Sequence, residues 1–145
     1  MEAEIRRTGT LRVAGLLLAL FAATAAAAEW ETIGTDDDGN SYSVDVSRMA
    51  RDQGTVSIVV RTEYAKPRRI DAVEADVFVA LDHMVVDCGK SSFAVQSRTV
   101  VAADGTEIPR GSTERASLRF RVAAPGSMSE SIVRFACKPA AAGKE

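Results

Sequence analysis

The chain has 145 residues, and its 18 basic and 20 acidic side chains give a net charge of −2 at pH 7. This length suits a single domain, and the slightly acidic balance argues against a nucleic-acid-binding protein, which needs a clustered excess of Lys and Arg. Aromatic residues make up 6% of the chain, so we expect a core made mainly of Val, Ile, Leu and Ala with a few Phe.

The N-terminus has the pattern of an export signal. Three arginines precede an apolar run at 16–23, and small residues follow at 24–28. This order predicts a secretory signal peptide over 1–28. The apolar run is shorter than the roughly 20 residues of a membrane-spanning helix, so a retained membrane anchor is the less favoured interpretation. We expect an exported protein, periplasmic or at the cell surface, with no membrane span after cleavage.

Cleavage would leave one predicted domain at 29–139 and a flexible tail at 140–145. Three basic and two acidic residues are lost with the signal, so the mature chain carries 15 basic and 18 acidic side chains. Because this domain has no basic excess, we expect no nucleic-acid partner.

The first predicted strands are short and are separated by polar turns. Alternation predicts strands at 29–34, 41–46 and 55–64, and we expect Trp30 to anchor the N-terminus in the core. Three aspartates at 36–38 suggest a calcium loop at first sight. The spacing of acidic residues and Gly in such a loop is missing, so a hairpin turn is the better interpretation.

A basic cluster follows the third of these strands. Lys66, Arg68 and Arg69 surround Pro67, which lacks a backbone donor and predicts that the strand ends at residue 64. Two interpretations are open. The segment is either a solvated loop or a binding site for an acidic or glycan partner, and in the second case these three cations are the candidate partner-binding residues.

The longest strand is predicted at 76–88, because this segment is rich in β-branched residues and Gly89 follows it. The residues in phase with Cys88 share one mostly apolar face: Phe78, Ala80, Asp82, Met84 and Val86. Residues 91–101 are predicted to form its hairpin partner. A polar loop is predicted at 107–114, and alternation over 116–122 predicts a last strand with Leu118, Phe120 and Val122 directed inward.

The C-terminal segment predicts a short helix. Ser127 and Glu130 have the spacing of a capping box, and four apolar residues share one side of the helix: Met128, Ile132, Phe135 and Ala136. A helix of about ten residues is unstable alone in water, so it must dock. These elements give an α+β fold, an antiparallel sheet of about six strands with one short helix on one face.

Cys88 and Cys137 are the only cysteines of the chain. In an exported domain of this size we expect them to form one disulfide, which would tie the end of the long strand to the C-terminal helix. Two free thiols are the alternative.

The sequence has no recognisable catalytic constellation. His83 is the single histidine, so a serine-hydrolase triad or a metal site would lack partners. Asp82 and Asp87 lie on opposite faces of the predicted strand and are poorly placed to act as an acid–base pair. We expect a non-enzymatic protein without cofactor or metal.

Several short motifs occur in the order typical of a known family. Trp30 opens the predicted domain, Tyr-x-Val-Asp follows at 42–45, Val-Asp-Cys ends the long strand at Cys88, and Pro-Gly-Ser precedes the helix that carries Cys137. In these features the chain resembles the bacterial surface-adhesin protein E-like family. The resemblance implies a curved antiparallel sheet with the helix held by the disulfide, adhesion to host extracellular-matrix proteins, and homodimer formation as an option.

Three functional hypotheses follow. The first is an exported, adhesin-like protein that binds another protein through its sheet face or loops, which an exposed apolar patch or free sheet edge would favour. The alternative is a periplasmic small-ligand-binding or stress-associated module, which a deep pocket with convergent polar groups would favour. An enzyme of unrecognised type is the third, and a cluster of residues with shifted pKa values would favour it.

Overall fold

The computed structural model describes residues 27–70 and 74–139. The predicted signal peptide, apart from its last two residues, and the predicted tail at 140–145 lie outside these residues. Across the two described ranges, no helix is long and apolar enough to cross a membrane.

The described residues form an open antiparallel sheet with one α-helix. The strands are β1 (Trp30–Thr35), β2 (Ser41–Asp45), β3 (Ala50–Asp52), β4 (Thr55–Ile70), β5 (Ala75–Asp87), β6 (Ser92–Ala102), β7 (Glu107–Ser112) and β8 (Arg121–Val122), and the helix α1 is Met128–Ala136. The main order is β1-β2-β4-β5-β6-β7, with β3 paired to β4 and β8 to β6. The predicted α+β class is confirmed, and two short strands bring the count to eight.

The centre of the sheet is the ladder of β4, β5 and β6. Val56 pairs with Val86, and Val86 pairs with Phe93. Paired residues of neighbouring strands lie on the same face, so these three side chains form one buried row. The β-branched residues that favour extended backbone therefore also supply the core.

The prediction that β4 ends at residue 64 was wrong, because the strand continues through Pro67 to Ile70. The neighbouring β2 pairs with β4 only as far as Ser41 and Glu63. Beyond that point β4 has a free edge, where the missing N–H of Pro67 costs no ladder hydrogen bond. On its other side, four residues of β4 (64–67) lie opposite the single residue Phe78 of β5.

The region after β6 also differs from the prediction. The polar loop expected at 107–114 contains β7, an edge strand that tolerates Pro109. The strand expected at 116–122 is only Arg121–Val122, preceded by a 3-10 turn at Arg115–Ser117. Phe120 and Val122 are 44% and 72% exposed, so their alternation does not mark a buried face.

The core consists of two clusters on the sheet. The larger one packs the centre of the sheet against the helix: Val44, Val56, Ile58, Val60, Met84, Val86, Phe93, Ala123, Ile132, Val133 and Ala136. The smaller one lies toward the far end of the β4–β5 hairpin and contains Val77, Ala80 and Val100. Trp30, expected in the core, is half-buried and belongs to neither cluster; the guanidinium carbon of Arg61 lies 5.8 Å from its ring centroid.

The predicted helix and its cap are confirmed. The Ser127 hydroxyl accepts a hydrogen bond from the Glu130 amide at 3.2 Å, and Glu130 Oε2 accepts one from the Gly126 amide at 2.8 Å. The helix buries Ile132, Val133 and Ala136 against the sheet. The predicted disulfide is also confirmed: Cys88 and Cys137 are bonded, with their Cα atoms 5.6 Å apart.

Candidate functional site

The basic cluster predicted from the sequence lies at the far end of the β4–β5 hairpin. Lys66, Arg68 and Arg69 are all exposed. The Arg68 guanidinium carbon lies 4.8 Å from the centroid of the Tyr64 ring, a cation–π distance. Arg69 Nη1 lies 4.0 Å from the carboxylate of Asp76, at the limit of an ion pair. The cluster is therefore solvent-facing and only weakly neutralised by its described neighbours.

The three cations do not all project from the same face of the hairpin. Arg68 pairs with Val77, and Arg69 pairs with Asp76. Consecutive strand residues point to opposite faces, so Arg68 lies on the side of buried Val77 and Arg69 on the side of Asp76. The charge surrounds the hairpin end instead of forming a flat basic face.

Phe78 adds an exposed aromatic ring to this end of the hairpin. It is 39% exposed and lies across the ladder from the β4 bulge that contains Lys66. The sequence had predicted Phe78 on the inner face, in phase with Cys88. That prediction was wrong, because the register of β5 on β6 shifts between Val77 and Val79, and Val77 is buried in its place. We call Lys66, Arg68, Arg69 and Phe78 the hairpin-end patch.

An ion pair with a buried carboxylate lies between the two core clusters. Arg98 of β6 donates to Asp82 of β5 through Nε at 2.6 Å and Nη2 at 2.7 Å. Asp82 is buried, whereas about half of the Arg98 side chain is exposed. The hydrogen bonds to this carboxylate raise the pKa of the Arg98 guanidinium above its ordinary value. Sequence reasoning placed Asp82 on an apolar face but missed Arg98 as its partner.

The three aspartates at 36–38 form the predicted hairpin turn. The Asp36 carboxylate accepts hydrogen bonds from the amides of Asp38 and Asn40 and from the hydroxyl of Tyr42. The Asn40 side-chain amide also donates to this carboxylate at 3.0 Å. This bond first, and then the others, lower the pKa of Asp36. Burial and the bond to Asp36 raise the pKa of Tyr42 to about 12. The turn is thus fixed by its own side chains.

The Asp of the Tyr-x-Val-Asp motif has a structural role. Asp45 is completely buried, and its Oδ1 accepts hydrogen bonds from the amides of Glu29 and Ser47 and from the Ser47 hydroxyl. Arg48 Nε lies 3.1 Å from Oδ2. Burial acts to raise the pKa of Asp45, but the hydrogen bonds and the charge of Arg48 outweigh it, and the pKa is lowered.

Two clefts have the size of a small-molecule site. One of about 410 Å³ lies beside the disulfide and is lined by Cys88, Glu130, Val133, Arg134, Cys137 and Lys138. The other, of about 420 Å³, lies between β6 and β7 and is lined by Gln96, Ser97, Arg98, Arg110, Thr113 and Arg121. The first joins an apolar wall to charged rims, and the second is more open and contains three arginines.

His83, Asp82 and Asp87, the residues considered for catalysis, are not among the lining residues of these two clefts. His83 is exposed on β5, while its neighbour Asp82 is buried and paired with Arg98. Asp87 accepts a bond from the Lys90 amide in the turn after β5. Among residues 27–70 and 74–139, no three His, Cys, Asp or Glu side chains come together in an arrangement that could hold a metal ion.

Comparison with known protein families gives a match over most of the chain. The family described as surface-adhesin protein E matches residues 30–138, which covers most of the chain and nearly all of the described domain. No curated protein and no solved structure matches.

Proposed function

The chain belongs to the surface-adhesin protein E family, and we propose that it is an exported, non-enzymatic adhesin-like protein whose hairpin-end patch binds another protein. Membership supports an adhesin-like role in general. The patch is our proposal for where contact is made, and an extracellular-matrix protein is the kind of partner that the family suggests.

The observation that carries this proposal is the exposure of Phe78 beside the basic cluster. The Phe78 ring is 39% exposed in the free protein. Burying the rest of its apolar surface in a complex would favour binding. Aromatic and arginine side chains are also the residues that contribute most to protein interfaces. Phe78 supplies the apolar anchor, and Arg68 and Arg69 supply charge on either side of the strand.

The charge of the patch favours an acidic partner surface. Lys66 and Arg68 have no carboxylate within 4.0 Å among the described residues, and Arg69 has a loose contact with Asp76. Such exposed cations lose little on binding, because no internal ion pair has to be broken. They would speed association and select against basic partners.

The test is binding of the mature protein to immobilised extracellular-matrix proteins. Phe78→Ser should weaken binding by at least about tenfold, since it removes the apolar anchor. Val122→Ser is the matched control, because Val122 is also exposed (72%) but lies on β8, far along the sheet. Equal binding by wild type and Phe78→Ser, with a folded variant, would remove the patch from the interface.

The location of the protein is tested separately on intact cells. Protease treatment should cleave the protein while a periplasmic marker stays intact. Protection of both would exclude adhesion to external partners, whatever the binding assay shows. Size-exclusion chromatography with light scattering, run on the same protein, reports whether a homodimer forms.

The cleft beside the disulfide favours a second function, binding of a small ligand in the periplasm. Its volume of about 410 Å³ suits a small molecule, and its lining joins apolar Val133 to Lys138 and to the ion pair of Arg134 with Glu130. A thermal-shift screen of such molecules tests this function. A shift that Lys138→Ala abolishes would support it, because Lys138 is an exposed lining residue, and no shift with any compound would count against it.

A further inference from the structure

The cleft between β6 and β7, which we call the arginine cleft, has the features of an anion-binding site. Arg98, Arg110 and Arg121 all line it, and no Asp or Glu is among its lining residues. The charge of Arg98 is offset by Asp82. Arg110 and Arg121 have no carboxylate within ion-pair distance in the part of the chain that the structure describes, so the cleft carries about two uncompensated positive charges.

Two irregularities of the sheet lie at this cleft. In the pairing of β5 with β6, Gln96 is an extra residue between Val95 and Ser97. In the pairing of β6 with β7, Arg110 is extra, because Arg98 pairs with Gly111 and Thr99 with Pro109. A bulge turns its side chain out of the regular alternation. Both bulge residues, Gln96 and Arg110, line the cleft.

Two of the three arginines, Arg98 and Arg121, are held in position before any ligand binds. Arg98 is fixed by its two bonds to Asp82. The guanidinium carbon of Arg121 lies 4.7 Å from the centroid of the Phe93 ring, and stacking on an aromatic face leaves the guanidinium N–H groups free at its edge. Fixed arginines lose less conformational freedom on binding an anion.

We propose that the arginine cleft binds a sulfated oligosaccharide. Sulfate presents several oxygens at once, so it can accept hydrogen bonds from two guanidinium groups. The cleft is much larger than one inorganic anion, and Gln96, Ser97 and Thr113 line it with neutral groups that suit sugar hydroxyls.

The edge strand itself argues against an acidic peptide in the same place. A peptide would bind most simply by adding a strand to β7. Pro109 lacks an N–H, Arg110 lies in a bulge, and Gly111 has a φ of 145°, all of which disrupt a regular edge. The cleft therefore presents side chains to a ligand more readily than it presents a backbone ladder. This site is separate from the hairpin-end patch and does not depend on it.

The experiment measures binding of a size-defined, heparin-derived octasaccharide to the mature protein by calorimetry. Arg110→Gln and Arg121→Gln should each weaken binding by about tenfold, as expected for losing one charge-assisted hydrogen-bonding group. Lys90→Gln, which removes an exposed positive charge from the turn after β5, should change binding less than about twofold. Equal effects of all three variants would show that only net charge matters and would overturn the site.

Competing probes identify the chemistry. The desulfated octasaccharide and a poly-glutamate peptide of equal length should bind at least about tenfold more weakly than the sulfated form. Equal binding of the desulfated sugar, equal binding of the peptide, or full displacement by millimolar inorganic sulfate would each overturn the proposal. Loss of octasaccharide binding with intact matrix-protein binding would separate this site from the proposed adhesive function.

A second inference comes from the contact between Glu29 and Asp45. The backbone nitrogen of Glu29 lies 3.2 Å from Oδ1 of the buried Asp45 carboxylate. The Glu29 carbonyl accepts a hydrogen bond from the Val46 amide at 2.8 Å, and the next residue, Trp30, pairs with Asp45 in the β1–β2 ladder. The position of this nitrogen is therefore set by the sheet.

The predicted signal cleavage falls between Ala28 and Glu29, both of which are exposed. Before cleavage the Glu29 nitrogen is a neutral amide, and after cleavage it is an ammonium group. We infer that removal of the signal creates an ion pair between the new N-terminus and Asp45. This inference rests on the predicted cleavage site. Without this pair, the charged neighbour of Asp45 is Arg48, whose side chain is 59% exposed, so the precursor is less stable than the mature protein.

The test compares a protein that begins at Glu29 with one that begins at Ala28, each with Asp45 and with Asp45→Asn. The extra alanine should lower Tm by roughly 5 °C with Asp45 and leave it nearly unchanged with Asp45→Asn. An equal shift in both backgrounds would overturn the ion pair. So would an intact mass showing that the exported protein begins at another residue.

Acetylation gives an independent readout if Asp45→Asn does not fold. Acetylating the amine of the Glu29 protein removes its charge and adds no residue, so Tm should fall by a similar amount. An unchanged Tm would overturn the inference.

Discussion

Asp82 and Arg98 face each other across β5 and β6 and are joined by two hydrogen bonds of 2.6 and 2.7 Å. This pair lies between the two apolar clusters, where the sheet would otherwise be continuously apolar. The carboxylate is buried and the guanidinium reaches solvent. Removing one partner should therefore change the free energy of unfolding by a different amount from removing the other.

Removing Arg98 should destabilise the protein more than removing both charges. Arg98→Ala leaves the buried carboxylate unpaired, and we expect a loss of about 2 kcal/mol in the free energy of unfolding. The double variant Asp82→Asn/Arg98→Gln should lose less. Urea denaturation measures both, with Lys90→Ala as the control, whose exposed contact with Asp87 spans 3.9 Å and contributes little. A single variant as stable as the control would contradict the prediction.

The disulfide should supply a large part of the stability. Cys88 and Cys137 are separated by 49 positions, and closing a loop of that length stabilises a protein by about 4 kcal/mol in the chain-entropy account. The Cys88→Ser/Cys137→Ser variant should therefore have a much lower urea midpoint than wild type. Wild type under reducing conditions should match the variant. A midpoint unaffected by reduction would show that helix packing alone holds the domain together.

The helix should contribute through its inner face. Ile132 is 5% exposed and packs in the larger cluster, so Ile132→Ala should cost about 3 kcal/mol. Arg134, two residues away, is exposed and makes an ion pair with Glu130, and Arg134→Ala should cost less than about 0.5 kcal/mol. Thermal unfolding followed by circular dichroism compares the two. Similar losses would mean that the helix is not docked as described.

Tyr42 should titrate at unusually high pH. Its pKa is raised to about 12 by burial and by the bond to Asp36, whereas an ordinary tyrosine has a pKa near 10. The folded state holds this proton more tightly than the unfolded state, so the stability contribution is complete below about pH 10 and is lost as pH rises toward 12.

Absorbance at alkaline pH measures this directly, because Tyr42 and Tyr64 are the two tyrosines of the chain. The step near pH 12 should disappear in Tyr42→Phe, and Asp36→Asn should move it to lower pH. A high-pH step that survives in Tyr42→Phe would assign it to Tyr64 instead.

The helix could be predicted because its cap is a local sequence pattern. The disulfide could be predicted because the chain has only two cysteines to pair. Ser127 and Glu130 mark the cap through a three-residue spacing, and two cysteines in an exported domain allow one pairing. The Asp82–Arg98 pair could not be predicted in the same way. Its register depends on the extra residue Gln96, and the sequence gives no sign of where a strand bulges.

The strand errors have one physical origin, the position of a strand within the sheet. Pro67 was expected to end a strand and Pro109 to lie in a polar loop, yet both lie in strands at places where one side of the strand has no partner. Phe120 and Val122 alternate with arginines but face solvent. Whether a strand can contain proline, and whether its alternate residues are buried, both depend on which strands lie beside it. The spacing of residues in the sequence does not show this. The hairpin-end patch was only half predicted for the same reason, since Phe78 changes face at a bulge.

The position of the helix at the end of the domain has a consequence for biogenesis. Ile132, Val133 and Ala136 complete the larger cluster, and Cys137 is the second half of its cross-link. During synthesis or translocation these residues emerge after every strand. Until the helix has been synthesised, it cannot pack on the sheet, and the core residues Val56, Val86 and Phe93 stay uncovered on that side. A chaperone or a neighbouring nascent chain has its best opportunity to bind this protein in that interval.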